Sequence, residues 1–471
     1  MAKRTHMVWG CTSDAGKSFL TACLCRWYAN RGEKVAPFKA QNMSNNAAVC
    51  RDGAEIGRAQ WLQALAARVE PCADLNPVLL KPESDTRSQV IVLGRADPVI
   101  AATPWLERRP LLWPVISGAL DRLRATYDRV IMEGAGSPAE VNLQPYDLVN
   151  LAPARHTDAA CWLVSDIDRG GAFAHLYGTW AALPDEDRAR IRGFVLNKFR
   201  GDPALLGNAP GWLQDKTGVP VVAIVPFHRH RLPEEDAFFH REHRRSGHVR
   251  IALVLFPWAS NLDEFDPLAH EDGVDLVPVK DAAGLDDVHA IILPGSKNTV
   301  ASLAWLKEHG VAAAVVRAAA RGVLVLGVCG GMQMLGRELK DPHHLESGDS
   351  EGLGLLDVAT VLAPAKTTAQ RRVRWMDGGD VTGYEIHHGV TSAGPLAREH
   401  LADGLGWRQG NVTGVYLHDL FANTAYRQAY LERLGWRGAS RDWNALIDAE
   451  LDASARLIDT SGWGAALARV G

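Results

Sequence analysis

The 471-residue chain has no apolar run approaching the roughly 20 residues of a membrane-spanning helix. It has no CxxC pair either. Its seven cysteines are mostly far apart, which excludes a disulfide framework or a cysteine zinc site and fits a reducing cytosol. Basic charge is not in surplus: the formal net charge of −4 argues against a nucleic-acid surface as the main business. There is no repeat at a fixed period and no low-complexity tract. The basic start, Lys3-Arg4, runs straight into a glycine loop, so no signal peptide is expected and the cytoplasm is the expected location.

What is present is an ordinary globular composition, 47% hydrophobic and 23% charged, on a chain long enough for about two to four domains. Up to about residue 240, apolar runs alternate with amphipathic stretches. Strands are predicted at Met7–Gly10, Lys34–Phe38, Arg129–Glu133, Ala159–Ser165, Gly193–Asn197 and Val219–Val225, with helices such as Ile56–Val69 and Leu111–Ala125 between them. That alternation predicts a mostly parallel sheet covered on both faces, with ligands at the carboxyl ends of its strands. The histidine-rich, charged stretch His228–His248 reads as a solvated linker. A second alternation follows, with strands at Ile251–Phe256, Ala290–Leu293 and Val323–Val328, a β-rich run to Leu417 and a helical close over 424–468. The expected division is 1–240, 249–435 and a C-terminal helical extension, 436–471.

Two segments carry chemistry. The first is Gly10-Cys11-Thr12-Ser13-Asp14-Ala15-Gly16-Lys17-Ser18, between a strand and a helix. Such a loop gathers backbone N–H groups and one ammonium around the β- and γ-phosphates of a nucleotide. Gly10, Thr12, Gly16, Lys17 and Ser18 are the candidate nucleotide-binding residues, and the Ser18 hydroxyl is within reach of Mg²⁺. The spacing departs from the usual P-loop, since Cys11 stands where the first glycine would fall. The second segment is Gly327-Val328-Cys329-Gly330-Gly331, a strand, a tight turn and a helix start. This is the thiol form of a nucleophile elbow, with Cys329 at its apex and the Gly330 N–H placed for an oxyanion. The loop around Gly295, also at a strand end, is a candidate second donor. His418 ends an apolar strand-like run and is the candidate proton carrier.

Carrying both motifs, the chain resembles the two-domain family of cobyrinate-type amidotransferases. The resemblance covers nearly the whole chain and rests on further segments in order. They are Ala36-Pro-Phe-Lys39-Ala-Gln41-Asn42-Met43, Glu55-Ile-Gly-Arg58-Ala-Gln60, Asn76-Pro-Val-Leu-Leu-Lys81-Pro82 and Glu133-Gly-Ala-Gly-Ser-Pro-Ala-Glu140-Val-Asn142. Asp166-Ile-Asp168-Arg169-Gly-Gly171, Asn197-Lys198-Phe-Arg200-Gly-Asp202 and Tyr384-Glu385-Ile-His387 complete the set. The resemblance implies an α/β fold of two doubly wound domains. The first is a P-loop, dethiobiotin-synthetase-like parallel sheet; the second is a class I glutamine amidotransferase, flavodoxin-like domain.

It implies a ligase that amidates the b, d, e and g carboxylates of a corrinoid a,c-diamide in cobalamin biosynthesis. ATP forms acyl phosphates and glutamine supplies ammonia. Ammonia is mostly protonated at neutral pH, a physical reason to confine it between sites. Ser18 and Glu133 are expected at Mg²⁺, directly or through water, with Glu55 joining them, and Asn197 at the adenine edge. Gln41, Asn42, Lys81 and Asp147 are candidate corrinoid contacts or loop scaffolding. Tyr384–His387 line either the glutamine pocket or a domain interface. A related synthase acting on an earlier corrinoid is the near alternative, and a P-loop switch ATPase serving as a binding module is the distant one. Leu420 stands where class I enzymes carry a glutamate, so the sequence leaves the group that orients His418 unidentified. Oligomeric state is left open.

Overall fold

A computed structural model describes residues 5–84, 87–233 and 248–470. Six parallel strands form the first sheet, in the order Val221–Pro226, Ile191–Phe199, Ala160–Asp166, Thr5–Gly10, Arg129–Glu133 and Val35–Phe38. Thr5–Gly10 and Arg129–Glu133 are buried along their whole length, as strands with helices on both faces must be. Their pleat sends Met7 and Trp9 into one core with Phe38, Ile116 and Leu163. Val8 goes into the opposite core with Leu20, Leu24, Ile131 and Trp162.

That second core is closed by the end of the chain. The helices Trp443–Ala455, Leu457–Thr460 and Trp463–Val470 return to the first sheet, where Trp463 packs edge-on to Trp162 at 5.9 Å. Arg26, inside the helix Lys17–Ala29, fixes the first of them with ion pairs to Asp448 (2.6 Å) and Asp452 (3.4 Å).

The second sheet has seven strands, in the order Val274–Val279, Val249–Val254, Ala290–Leu293, Leu324–Val328, Val412–Val415, Gly406–Gln409 and Arg398–Leu401. The first five run parallel, and the last two are added by antiparallel pairing, each to the strand before it. Gly327 is in register with Leu293 on one side and Gly414 on the other, so the loops bearing Gly295, Cys329 and His418 leave the sheet side by side.

The two sheets meet through β-structure that the alternation pattern does not reveal. The long hairpin Val358–Arg374/Asp380–Ala393 reaches the first domain. There Thr368 Oγ1 donates to the Gly53 carbonyl (2.8 Å), Gln370 Nε2 to Val49 (2.9 Å) and Tyr384 OH to Ala47 (2.9 Å). Ala47, Val49, Leu79 and Ile91 close an apolar seam with Tyr384 and Ile386. Most of the stretch read as a histidine-rich linker lies outside the described residues; of its start, His228 and His230 stack on Phe19 at 6.2 and 4.3 Å. Among the described residues no helix is long and apolar enough to cross a membrane.

Candidate functional site

The glycine loop lies at the carboxyl end of the central strand, its start tied to the neighbouring strand by the Cys11 N–H to Val164 carbonyl bond (2.8 Å). Gly16 caps the following helix at φ 92°, a left-handed conformation, and a Cβ there would overlap the Asn197 amide. Lys17 Nζ turns back into the loop, donating to the Thr12 carbonyl (2.9 Å) and the Gly136 carbonyl (3.1 Å). Burial lowers its pKa to about 8. A Cβ on Gly10 would lie 2.8 Å from this ammonium, so the glycine makes room for it.

Ser18 Oγ donates to Glu133 Oε1 (2.7 Å), the same oxygen that Lys39 Nζ reaches at 2.8 Å, while Gln63 Nε2 donates to Oε2 (2.6 Å). Burial pushes the Glu133 carboxyl up, but Lys39 and these hydrogen bonds outweigh it and hold the group below the usual carboxylate value. Asn197 supports the loop, its Nδ2 donating to the Ala15 carbonyl (2.9 Å). Gly16, Lys17, Ser18, Asp166 and Asn197 line a cleft of about 1460 Å³.

Glu55 does not join Ser18 and Glu133. Its carboxylate is taken up by two ammonium groups, those of Lys81 and of Lys366 (2.6 Å), and these hold its pKa near 2 against the opposing effect of burial. Glu55 thus sits in a lysine cluster apart from the Ser18–Glu133 contact, and the structure does not bring it to the metal site expected there. Lys81 belongs to that same buried cluster and lines the Cys329 cavity. Asp147 accepts the backbone N–H groups of Asn150, Leu151 and Ala152 and so caps the helix Leu151–Thr157. Asn42 is buried on the strand Gln41–Met43 with its amide against Gly57, whereas Gln41 is half-buried.

In the second domain Cys329 stands at φ 51°, ψ −109°, between the strand Leu324–Val328 and the helix Gly330–Leu335. The turn is tight enough that a Cβ on Gly331 would collide with the Leu293 carbonyl. Backbone strain of this kind at a single non-glycine residue marks a site held in place by its surroundings. The Cys329 N–H donates to the Val415 carbonyl (2.7 Å), so the elbow is fixed to the strand that leads to His418.

His418 Nδ1 lies 2.9 Å from Glu264 Oε1, and the other Glu264 oxygen accepts the Asp419 N–H (3.1 Å). The Tyr384 ring stacks on the imidazole at 5.2 Å. Burial alone would lower the pKa of His418; the Glu264 carboxylate and Cys329 outweigh it and hold it up at about 10. That leaves Nε2 directed toward Cys329. Both residues line a cavity of about 70 Å³ with Gln333, His387, Ser296 and Lys81. Gly295 and Gly330 sit at its edge. A Cβ on Gly295 would come within 3.2 Å of the His418 ring, and one on Gly330 within 2.9 Å of the Ser296 nitrogen.

Glu264 is the residue that sequence reasoning missed. It lies on the short turn Leu262–Phe265 and follows no fixed spacing from His418. A signal exists in Asp263-Glu264-Phe265-Asp266, three carboxylates among apolar neighbours, all of them buried. Buried carboxylates require partners, and one of these partners is the imidazole.

A nucleotide-type phosphate loop and a cysteine–histidine–carboxylate set in one chain define a two-domain glutamine amidotransferase. Residues 6–237 match the CobQ/CobB/MinD/ParA nucleotide binding domain, and 250–426 the CobB/CobQ-like glutamine amidotransferase domain. The chain is 51% identical over 477 residues to a cobyric acid synthase of Variovorax paradoxus (strain S110), covering 98% of this chain and 97% of that one. It is 53% identical to one of Acidovorax sp. (strain JS42), covering 90% and 91%. It is 52% identical to one of Deinococcus radiodurans, covering 90% and 92%. The chain belongs to the cobyric acid synthase family, and it is a glutamine-dependent, ATP-binding carbon–nitrogen ligase. Among solved structures, a glutamine amidotransferase is 18% identical with a TM-score of 0.33, over 39% of this chain and 99% of that one.

Proposed function

We propose that the chain amidates the b, d, e and g carboxylates of a corrinoid a,c-diamide, with glutamine as nitrogen donor and ATP as activator. One observation carries the reading. A chain about half identical to cobyric acid synthases along almost all of its length holds both an ammonia-releasing and a phosphate-handling set of side chains.

In the second domain the Cys329 sulfur attacks the side-chain amide carbon of glutamine. The C–N bond breaks, His418 gives its Nε2 proton to the departing ammonia, and a glutamyl thioester remains. Water then releases glutamate and restores the thiol. The Gly330 N–H, beside Ser296, receives the oxyanion. In the first domain Lys17 and the loop amides hold the phosphates while a corrinoid carboxylate oxygen attacks the γ-phosphorus of ATP, the bond to the β,γ-bridging oxygen breaks and ADP leaves. Ammonia attacks that acyl phosphate, the C–O bond breaks, and phosphate leaves.

The Ser18 hydroxyl and Glu133 carboxylate, hard oxygens in contact at the loop, suit Mg²⁺, which would neutralise phosphate charge there. Among the described residues no group of three or more His, Cys, Asp or Glu side chains gathers as a metal site. Asn197 is assigned to the adenine end, and Gln41, two residues beyond Lys39, to the corrinoid. Asn42, Asp147 and Lys81 have internal partners and are not assigned to it. Seven free thiols support a reducing cytoplasm.

The test is mass spectrometry of a corrinoid a,c-diamide incubated with ATP, Mg²⁺ and glutamine. Four successive losses of about one dalton, each an acid becoming an amide, are expected. Reaction only at the a and c positions of an earlier corrinoid would replace this reading with the related synthase.

A further inference from the structure

The segment Glu55-Ile-Gly-Arg58-Ala-Gln60 is prominent in the sequence, yet neither reaction described above uses its arginine. Arg58 is the first residue of the helix Arg58–Ala67, in the nucleotide-binding domain. Its side chain crosses to the other domain. Nε pairs with Asp263 Oδ2 at 2.6 Å, and a terminal nitrogen pairs with Asp419 Oδ2 at 2.9 Å. These two aspartates are the chain neighbours of Glu264 and His418. One guanidinium therefore grips, from the other domain, both segments that build the orienter–imidazole pair.

The grip is reinforced along the same seam. The Arg58 N–H donates to the Asn46 carbonyl, and Asn46 Oδ1 accepts the Asn261 N–H (2.7 Å). Asn261 in turn accepts the Ala47 N–H (2.9 Å) and donates to the Tyr384 hydroxyl (3.2 Å), whose ring stacks on His418. Arg58, Asp263 and Asp419 line the phosphate cleft, whereas His418 lines the Cys329 cavity. The ion-paired layer is the wall between the two.

The same helix also contacts the phosphate site. Gln63 donates to Glu133 Oε2 (2.6 Å) and to the Ser18 carbonyl (3.3 Å). Its Oε1 is buried with no hydrogen-bond partner among the described residues. Any ligand that draws on Ser18 and Glu133 competes with Gln63 for the same carboxylate, and Gln63 has a second polar atom to satisfy elsewhere. The helix is thus held near its middle by the phosphate site and at its first residue by the segments that carry the base of the glutaminase.

We infer that Arg58 is a positioning residue that couples glutamine hydrolysis to occupancy of the phosphate cleft through the helix Arg58–Ala67. The inference rests on the proposed function, because it requires both reactions. Paired guanidinium–carboxylate contacts in a half-buried seam are directional, so a small helix shift is passed to Asp263 and Asp419. Coupling of this kind keeps ammonia from being released when no acyl phosphate awaits it.

The experiment compares full-length wild type, Arg58→Ala and Arg58→Lys. Glutaminase kcat and KM are measured with and without ATP, Mg²⁺ and corrinoid a,c-diamide, alongside amidation driven by ammonium salt. In wild type, kcat for glutamine rises when the cleft is filled. In Arg58→Ala the rise falls about tenfold, with KM for glutamine within about twofold and ammonia-driven amidation within about threefold of wild type. Arg58→Lys recovers part of the rise. Hydrogen exchange gives an independent reading: ATP with Mg²⁺ changes protection at both 58–67 and 260–265 in wild type, and only at 58–67 in Arg58→Ala. Should Arg58→Ala not fold, Asp419→Asn, on the more exposed carboxylate of the pair, carries the same expectation.

Stimulation equal to wild type in Arg58→Ala overturns the inference. So does a wild-type glutaminase indifferent to the cleft, or an equal loss of ammonia-driven amidation. A wild type that neither hydrolyses glutamine nor amidates a corrinoid overturns the functional reading itself, a separate result.

Discussion

Glu264 and His418 are 154 residues apart in the chain and 2.9 Å apart in the fold. The carboxylate keeps His418 protonated through neutral pH; that charge is lost only as pH rises through about 10. An imidazolium beside Cys329 holds the proton that the leaving ammonia needs.

Glu264→Gln therefore lowers the pKa of His418. The alkaline limb of glutaminase kcat/KM moves down by about three to four pH units, and activity at pH 8 falls about 10- to 100-fold. Ammonia-driven amidation stays. An unmoved alkaline limb would assign Glu264 a packing role only.

Lys17→Ala abolishes amidation with glutamine and with ammonia alike, because both need the acyl phosphate; a loss of order 10³-fold is expected. The wild-type lysine adds a pH signature. Its pKa is lowered to about 8, so its charge is present below that pH and lost above it. Nucleotide affinity should weaken as pH rises through 8, and binding near pH 8.5 (about half a unit above that pKa) should take up protons. Calorimetry in two buffers of different ionisation enthalpy measures that uptake; equal heats would contradict it.

Glu133→Gln removes a carboxylate that Ser18 and Lys39 both contact. The Mg²⁺ concentration for half-maximal amidation rises and turnover slows, while hydrolysis of glutamine at Cys329 survives. An unchanged Mg²⁺ titration removes Glu133 from the metal site.

Much of this was legible in the sequence, because parallel strands buried on both faces leave continuous apolar runs. Arg129–Glu133 is predicted and found with identical ends, and Ala290–Leu293 likewise. The two loops were legible because glycine at a tight turn has few substitutes, as Gly16 and Gly331 illustrate. Long-range pairing was not. No periodicity links Glu264 to His418 or Arg58 to Asp263, and the return of Trp463 to Trp162 follows from the fold alone. The partners of Glu55 are illegible in the sequence for the same reason. Its two lysine partners lie 26 and 311 residues away, so its charge looked available when it was already neutralised.

The central claim is that one chain makes ammonia at Cys329 and uses it at the phosphate loop. Cys329→Ser tests it most directly, assayed for corrinoid amidation with glutamine and, separately, with ammonium salt from pH 7 to pH 9. Serine is a far poorer nucleophile than a thiolate, so glutamine-driven amidation should fall by about 10³-fold or more. Ammonia-driven amidation should persist and grow with pH as free ammonia accumulates. A Cys329→Ser protein that still runs on glutamine, or a folded one that no longer uses ammonia, would contradict the account.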